Sequence, residues 1–159
     1  LGLQTINDKT AENFNRGYKF EVFKEGIKKL QDRGIEVVVH SIFGLPGETK
    51  EDMLRTIDYI AHSGAQGIKF HLLHLMKNTK MAEQYYNGEF ELLSEEDYID
   101  LICQGISMIP EEMVVHRLTG DAPRATLIGP MWSLKKWEVL NAIDKALVDR
   151  DIWQGKNFK

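Results

Sequence analysis

A chain of 159 residues has the size of one domain, and its 43% hydrophobic and 28% charged residues are the proportions of a soluble globular fold. No apolar run approaches the ~20 residues of a membrane span, and a single cysteine, Cys103, excludes an internal disulfide. The formal net charge of −4 argues against a general nucleic-acid surface, which needs clustered Lys and Arg. The lone thiol, with no signal-peptide pattern at the start, predicts a reducing, cytoplasmic setting.

Leu1-Gly-Leu-Gln-Thr reads at once as the end of a strand, which predicts further sequence upstream in the intact protein. A polar loop follows. Phe20, Phe23, Ile27 and Leu30 recur at helical spacing and predict an amphipathic helix near Lys19 to Arg33. Gly34 suits the left-handed position after it, and a strand is expected from Ile35 to Phe43. Pro46-Gly47 suits a type II turn, and Thr49 with Asp52 approximates a capping box for a helix carrying Met53, Leu54, Ile57, Ile60 and Ala61.

A strand over Gly67 to Leu73 comes next, then a polar, tyrosine-rich loop from His74 to Leu93. Ser94 caps a helix that Pro110 ends, and Met113 to Leu118 supplies the fourth strand. After a long loop, Ser133 is expected to cap the last helix, with Trp132 and Trp137 sealing it onto the sheet. Four strands alternating with helices predict an α/β fold of parallel β/α units, either an open sheet or a partial, truncated TIM-type barrel. Residues 1–132 would form the barrel part, and residues 133–159 a helix and tail packed on the same domain. In both architectures ligands collect at the C-terminal edge of the strands, here the loops after Gln4, Phe43, Leu73 and Leu118.

Residue chemistry narrows this. His40 and Ile42 are two apart and share a strand face, as do Lys69 and His71, whose polarity predicts a wet cavity. His71 and His74 are three apart and point to opposite faces, so no shared metal is expected. Gly44 to Thr49 lacks the Gly-Lys-Ser/Thr ending of a phosphate loop. His116, Arg117, Asp121 and Arg124 form either an ion-pair network or a substrate anchor. Cys103, among Leu101, Ile102 and Ile106, is expected in the core.

The order and spacing of Leu1-Gly-Leu-Gln-Thr, Asn15-Arg16-Gly17, His40 through Thr49, Gly67 through Leu75, His116 through Arg124 and Gly129-Pro130-Met131-Trp132 resemble the radical S-adenosylmethionine superfamily. The branch is the one related to the elongator catalytic subunit and oxygen-independent coproporphyrinogen oxidase. The resemblance implies the later half of the barrel of an iron-sulfur enzyme that cleaves S-adenosylmethionine to a 5′-deoxyadenosyl radical. Its 4Fe-4S cluster would be held by three cysteines, of which this chain contains no motif. By the same resemblance Gln4 and Arg16, twelve positions apart, meet the nucleoside and carboxylate of S-adenosylmethionine, Arg16 with two parallel bonds. Ile42 lies against the adenine and His40 close to the ribose. Lys69, His71, His116, Arg117, Asp121 and Arg124 are the substrate-side candidates.

The chain alone is expected to be inactive. Two rivals from other classes remain at this stage: a binding or scaffold domain that pairs its open strand edge with a second copy, and a redox-independent barrel enzyme acting on a phosphorylated metabolite.

Overall fold

A computed structural model describes residues 1–159. Chain order is β1 (Gly2–Gln4), α1 (Asp8–Asn13), α2 (Phe20–Gln31), β2 (Val38–Phe43), α3 (Lys50–His62), β3 (Gly67–Leu72), β4 (Leu75–Met76), α4 (Lys80–Tyr86), α5 (Glu95–Met108), β5 (Val114–Arg117) and β6 (Leu127–Gly129). A 3-10 turn, Met131–Leu134, then leads into α6 (Lys136–Asp149). The main sheet is parallel in the order β1-β2-β3-β5, and β4 with β6 forms a separate antiparallel pair. No helix is long and apolar enough to cross a membrane.

Strand alternation decides where everything else sits. Val39, Ser41 and Phe43 of β2 and Ile68, Phe70 and Leu72 of β3 are buried, while His40, Ile42, Lys69 and His71 between them are half-buried. The buried set joins Phe23 and Ile27 of α2, Ile57 and Ile60 of α3, and Leu101 and Ile102 of α5 in one core. The other face contributes nothing to that core. Helices on one face only, around four staggered parallel strands, make the fold a partial TIM-type barrel whose half-buried face is the barrel interior.

Local signals set the element ends. The Thr49–Asp52 capping box forms in full, Ser94 accepts from the Asp97 amide, and Gly34 takes a φ of +68° after α2. Gly47 sits at φ +84° in the turn that follows Pro46. Ladder pairing of β2 starts only at Val38, because the Gln66 side chain takes the Val37 amide at 2.8 Å before the strands meet.

Three expectations change. The loop after β1 contains α1, and the tyrosine-rich loop contains β4 and α4, the latter capped by Thr79; each helix is short and polar, and its periodicity is masked. Ser133 lies within the 3-10 turn and donates to the Pro130 carbonyl at 2.7 Å instead of capping α6. Trp137 is 77% exposed, since Val139 and Ile143 set the buried face of α6. Trp132 does pack inward, 5.5 Å from Tyr98, with its Nε1 donating to the Leu93 carbonyl.

Helix α5 reaches the sheet through Gly105, where an added Cβ would lie 3.0 Å from Phe70 Cε1. Gly105→Val should therefore overpack this contact and destabilise the fold by about 1–3 kcal/mol. Urea unfolding reads it, and an unchanged midpoint would mean that the helix rides clear of the strand.

Candidate functional site

The barrel-facing side chains assemble by strand register. His40 pairs with Gly2 on one side and Lys69 on the other, Ile42 pairs with His71, and Lys69 pairs with Arg117. In a parallel sheet, paired residues point the same way, so His40, Ile42, Lys69, His71 and, past a β-bulge, the end of β5 line one face, while Gln4 pairs with Ser41 across a register shift and its side chain folds back over Gly2. The His40 and His71 rings stack with centroids 5.1 Å apart.

Gln4 ends β1 with φ +60°, a conformation costly for a residue with a Cβ. Arg16 holds it there. Its Nη1 donates to the carbonyls on either side of Gln4, Leu3 at 2.8 Å and Thr5 at 2.6 Å, while Nε takes the Tyr18 carbonyl and Nη2 takes Asp8 at 3.0 Å. Tyr18 lies across the guanidinium, 4.9 Å from ring centroid to Cζ, and its hydroxyl donates to the Gly2 carbonyl. Asp8 in turn accepts from the Phe20 amide at 2.6 Å. Four of the five Arg16 donors are committed, and the side chain is 2% exposed. The expected two-bond grip on a carboxylate is thus corrected: one Nη2 hydrogen is left, and the main work of Arg16 is to fix the chain around Gln4.

Thr5, the next residue, donates to Glu48 and so ties the loop after β1 to the turn after β2. Burial pushes the Glu48 carboxyl above its usual range, only partly offset by the Thr5 hydroxyl, and its Oε2 has no partner. None of Thr5, Asp8 or Tyr18 stood out as a site residue in the sequence; each is an ordinary loop residue until Arg16 is seen to be buried.

Several buried polar atoms at this edge lack partners: Gln4 Oε1, His71 Nε2, His74 Nε2 and Thr119 Oγ1. Buried polar groups are nearly always bonded, so a cluster at one strand edge leaves hydrogen-bonding capacity there for water or a ligand. Burial, then the positive charges of His40, Arg117 and Lys69, lowers the His71 pKa to about 4. Burial likewise lowers His40 and His74. The rings are therefore neutral near pH 7 and each keeps one nitrogen able to accept.

The remaining candidates separate. His116 leans over Gly67, where a Cβ would meet its ring at 2.7 Å, and Arg117 stands beside Lys69. Asp121 is held through both oxygens by Lys136 at 2.9 Å in an exposed pair. Arg124 is exposed and lies in the loop between β5 and β6. The His74 ring packs against Gly120, away from His71 on the strand. Cys103 is buried in α5.

This strand edge belongs to a partial barrel, and comparison with known proteins gives the class. The family description of the radical SAM superfamily matches residues 1–60, and that of the radical SAM C-terminal domain matches residues 65–149. The chain belongs to the radical S-adenosylmethionine superfamily, in a branch related to Elongator. It is 50% identical to the uncharacterized protein YtqA of Bacillus subtilis over all 159 residues, which is 49% of that protein. It is 26% identical over 131 residues to the tRNA uridine(34) acetyltransferase of Methanocaldococcus jannaschii, covering 80% of this chain and 24% of that one. In fold it matches the archaeal Methanocaldococcus infernus Elp3 with an N-terminal deletion at a TM-score of 0.84 and 20% identity, over 97% of this chain and 36% of that one. The chain thus spans half or less of the length of these relatives.

Two outcomes follow from the geometry. Arg16→Ala leaves the two part-buried carbonyls of Leu3 and Thr5 without their charged donor and should cost about 3 kcal/mol of stability in denaturant titration; a loss below ~1 kcal/mol would contradict the clamp. The His71 ring resonance should stay in its neutral position down to about pH 4, because the folded state resists the proton. The unfolded chain takes that proton first, so stability falls as pH drops from the ordinary histidine value toward 4. A midpoint at the ordinary value would show the ring to be solvated.

Proposed function

We propose that this chain supplies the later barrel strands of a radical S-adenosylmethionine iron-sulfur enzyme. The observation that carries the reading is the row of inward-facing groups from Gln4 through His40 and Ile42 to His71, with the Gln4 Oε1 and His71 Nε2 acceptors buried and unpartnered. Such a row fits a nucleoside: an amide and neutral imidazoles for ribose hydroxyls, and an apolar side chain for a base.

In this reading Gln4 is set by the Arg16 clamp and bonds the nucleoside, Ile42 packs on the adenine, and His40 stands near the ribose. Arg16 adds one hydrogen bond to the cofactor carboxylate. The Thr5–Glu48 bond keeps the two loops beside that nucleoside at fixed separation. Lys69, His71, His116 and Arg117 line the substrate side, with Asp121 and Arg124 at its rim. Bound cofactors would supply reductive cleavage of S-adenosylmethionine by a 4Fe-4S cluster, followed by hydrogen-atom abstraction. The one cysteine of this chain cannot hold such a cluster, so its ligands would come from the rest of the enzyme, in keeping with the 49% of YtqA that the chain spans. Residues 1–132 then make the barrel part, and residues 133–159 cover it as part of the same domain. The 159 residues alone are inactive, and the enzyme is a cytoplasmic protein.

Anaerobic reconstitution of the full-length protein should give cluster absorption and, with a reductant, 5′-deoxyadenosine. The 159-residue chain should give neither. A full-length protein that takes up no iron would refute the proposal. Within it, Gln4→Ala should weaken S-adenosylmethionine binding about tenfold through loss of a buried hydrogen bond, and an unchanged affinity would remove Gln4 from the site.

A further inference from the structure

Charge on the barrel-facing side of the sheet has one sign. By register, Lys69 stands between His40 and Arg117, with His71 one step further toward the ligand edge and His116 folded over the side-chain-free Gly67. The inward positions of β1, β2, β3 and β5 include no aspartate or glutamate, although the chain as a whole carries a net charge of −4. The acidic side chains that form ion pairs do so elsewhere, and neither Lys69 nor Arg117 takes part in one.

Two cations side by side with no direct ion pair repel, since Asp121, the carboxylate whose charge reaches Arg117, is held through both oxygens by Lys136, and the apolar layer of Phe43, Phe70 and Leu72 behind the sheet strengthens that field. Adjacent strands lie about 4.8 Å apart, close enough for paired side chains to converge on one anion. An arginine offers it two parallel donors and a lysine a point charge, the combination that suits tetrahedral or planar oxyanions.

We infer that Lys69 and Arg117 form an anion subsite of the substrate pocket, seating a phosphate or carboxylate group of the substrate with His71 and His116 at its edge. The subsite rests on the proposed function, because it assumes that the strand ends face the ligand. The substrate is accordingly anionic, and its charged group anchors it across β3 and β5, leaving the part near Gln4 and Ile42 to the cofactor.

The test titrates full-length protein, loaded with S-adenosylmethionine, with inorganic pyrophosphate and separately with citrate, at low and at physiological salt. Saturable binding of at least one anion is expected, weaker in higher salt, and the tighter of the two names the group as phosphate or carboxylate. Lys69→Gln and Arg117→Gln should each weaken it about tenfold, Arg117→Lys should recover part of the loss, and Lys28→Gln on exposed α2 should leave it as in the wild type. Thermal unfolding verifies that each variant folds; within this chain neither Lys69 nor Arg117 forms an ion pair that the substitution would break.

The inference is overturned if neither anion saturates the wild type, or if both glutamine variants bind as tightly as the wild type. It is overturned equally if S-adenosylmethionine displaces the anion, for then the cations serve the cofactor. Cluster formation is scored separately. A cluster without anion binding sinks the subsite alone, and saturable anion binding in a protein that forms no cluster sinks the radical reading alone.

Discussion

A parallel strand has two faces, and in this protein helices cover only one of them. Val39, Phe43, Ile68, Phe70 and Leu72 are buried under α2, α3 and α5, and every second residue is thereby forced to the opposite side. His40, Ile42, Lys69 and His71 are polar or half-exposed because they look into the barrel. A one-residue slip in register would exchange the two sets, putting Lys69 into the core and Phe70 into the ligand space. Core packing and site geometry are therefore one constraint seen from two sides.

At the head of the sheet, a second constraint is local. β1 ends in a left-handed glutamine, a conformation costly for a residue with a Cβ. The Arg16 guanidinium, buried under Tyr18 and neutralised by Asp8, binds the carbonyls flanking Gln4 and holds the chain in that conformation. A charge is placed in the interior there because its hydrogen bonds are nearly all met. The same loop is tied through Thr5 to Glu48, whose carboxyl tolerates burial only with a raised proton affinity. The two loops move together as a result.

Much of this was legible in the sequence. The order of four strands, the capping box at Thr49, the left-handed Gly34 and the buried Cys103 all rest on short-range patterns, because periodicity and capping act over four residues or fewer. What failed was equally local in origin. The helices at Asp8–Asn13 and Lys80–Tyr86 bury too few side chains to show a period, and the face of α6 turned on where a 3-10 turn ended, which left Trp137 outside. The choice between an open sheet and a partial barrel could not be made from strand count; it was made by finding helices on one face only.

By itself the sequence determined that this is a parallel β/α chain, and which side chains of β2 and β3 share a strand face, since alternation is a property of the backbone. Only the tertiary structure decided that Arg16 faces inward to carbonyls, that His40 stacks on His71, and that Lys69 and Arg117 stand side by side. The first depends on how the loop after α1 folds back onto β1, and the other two on register between strands far apart in sequence, which the packing of the whole core sets.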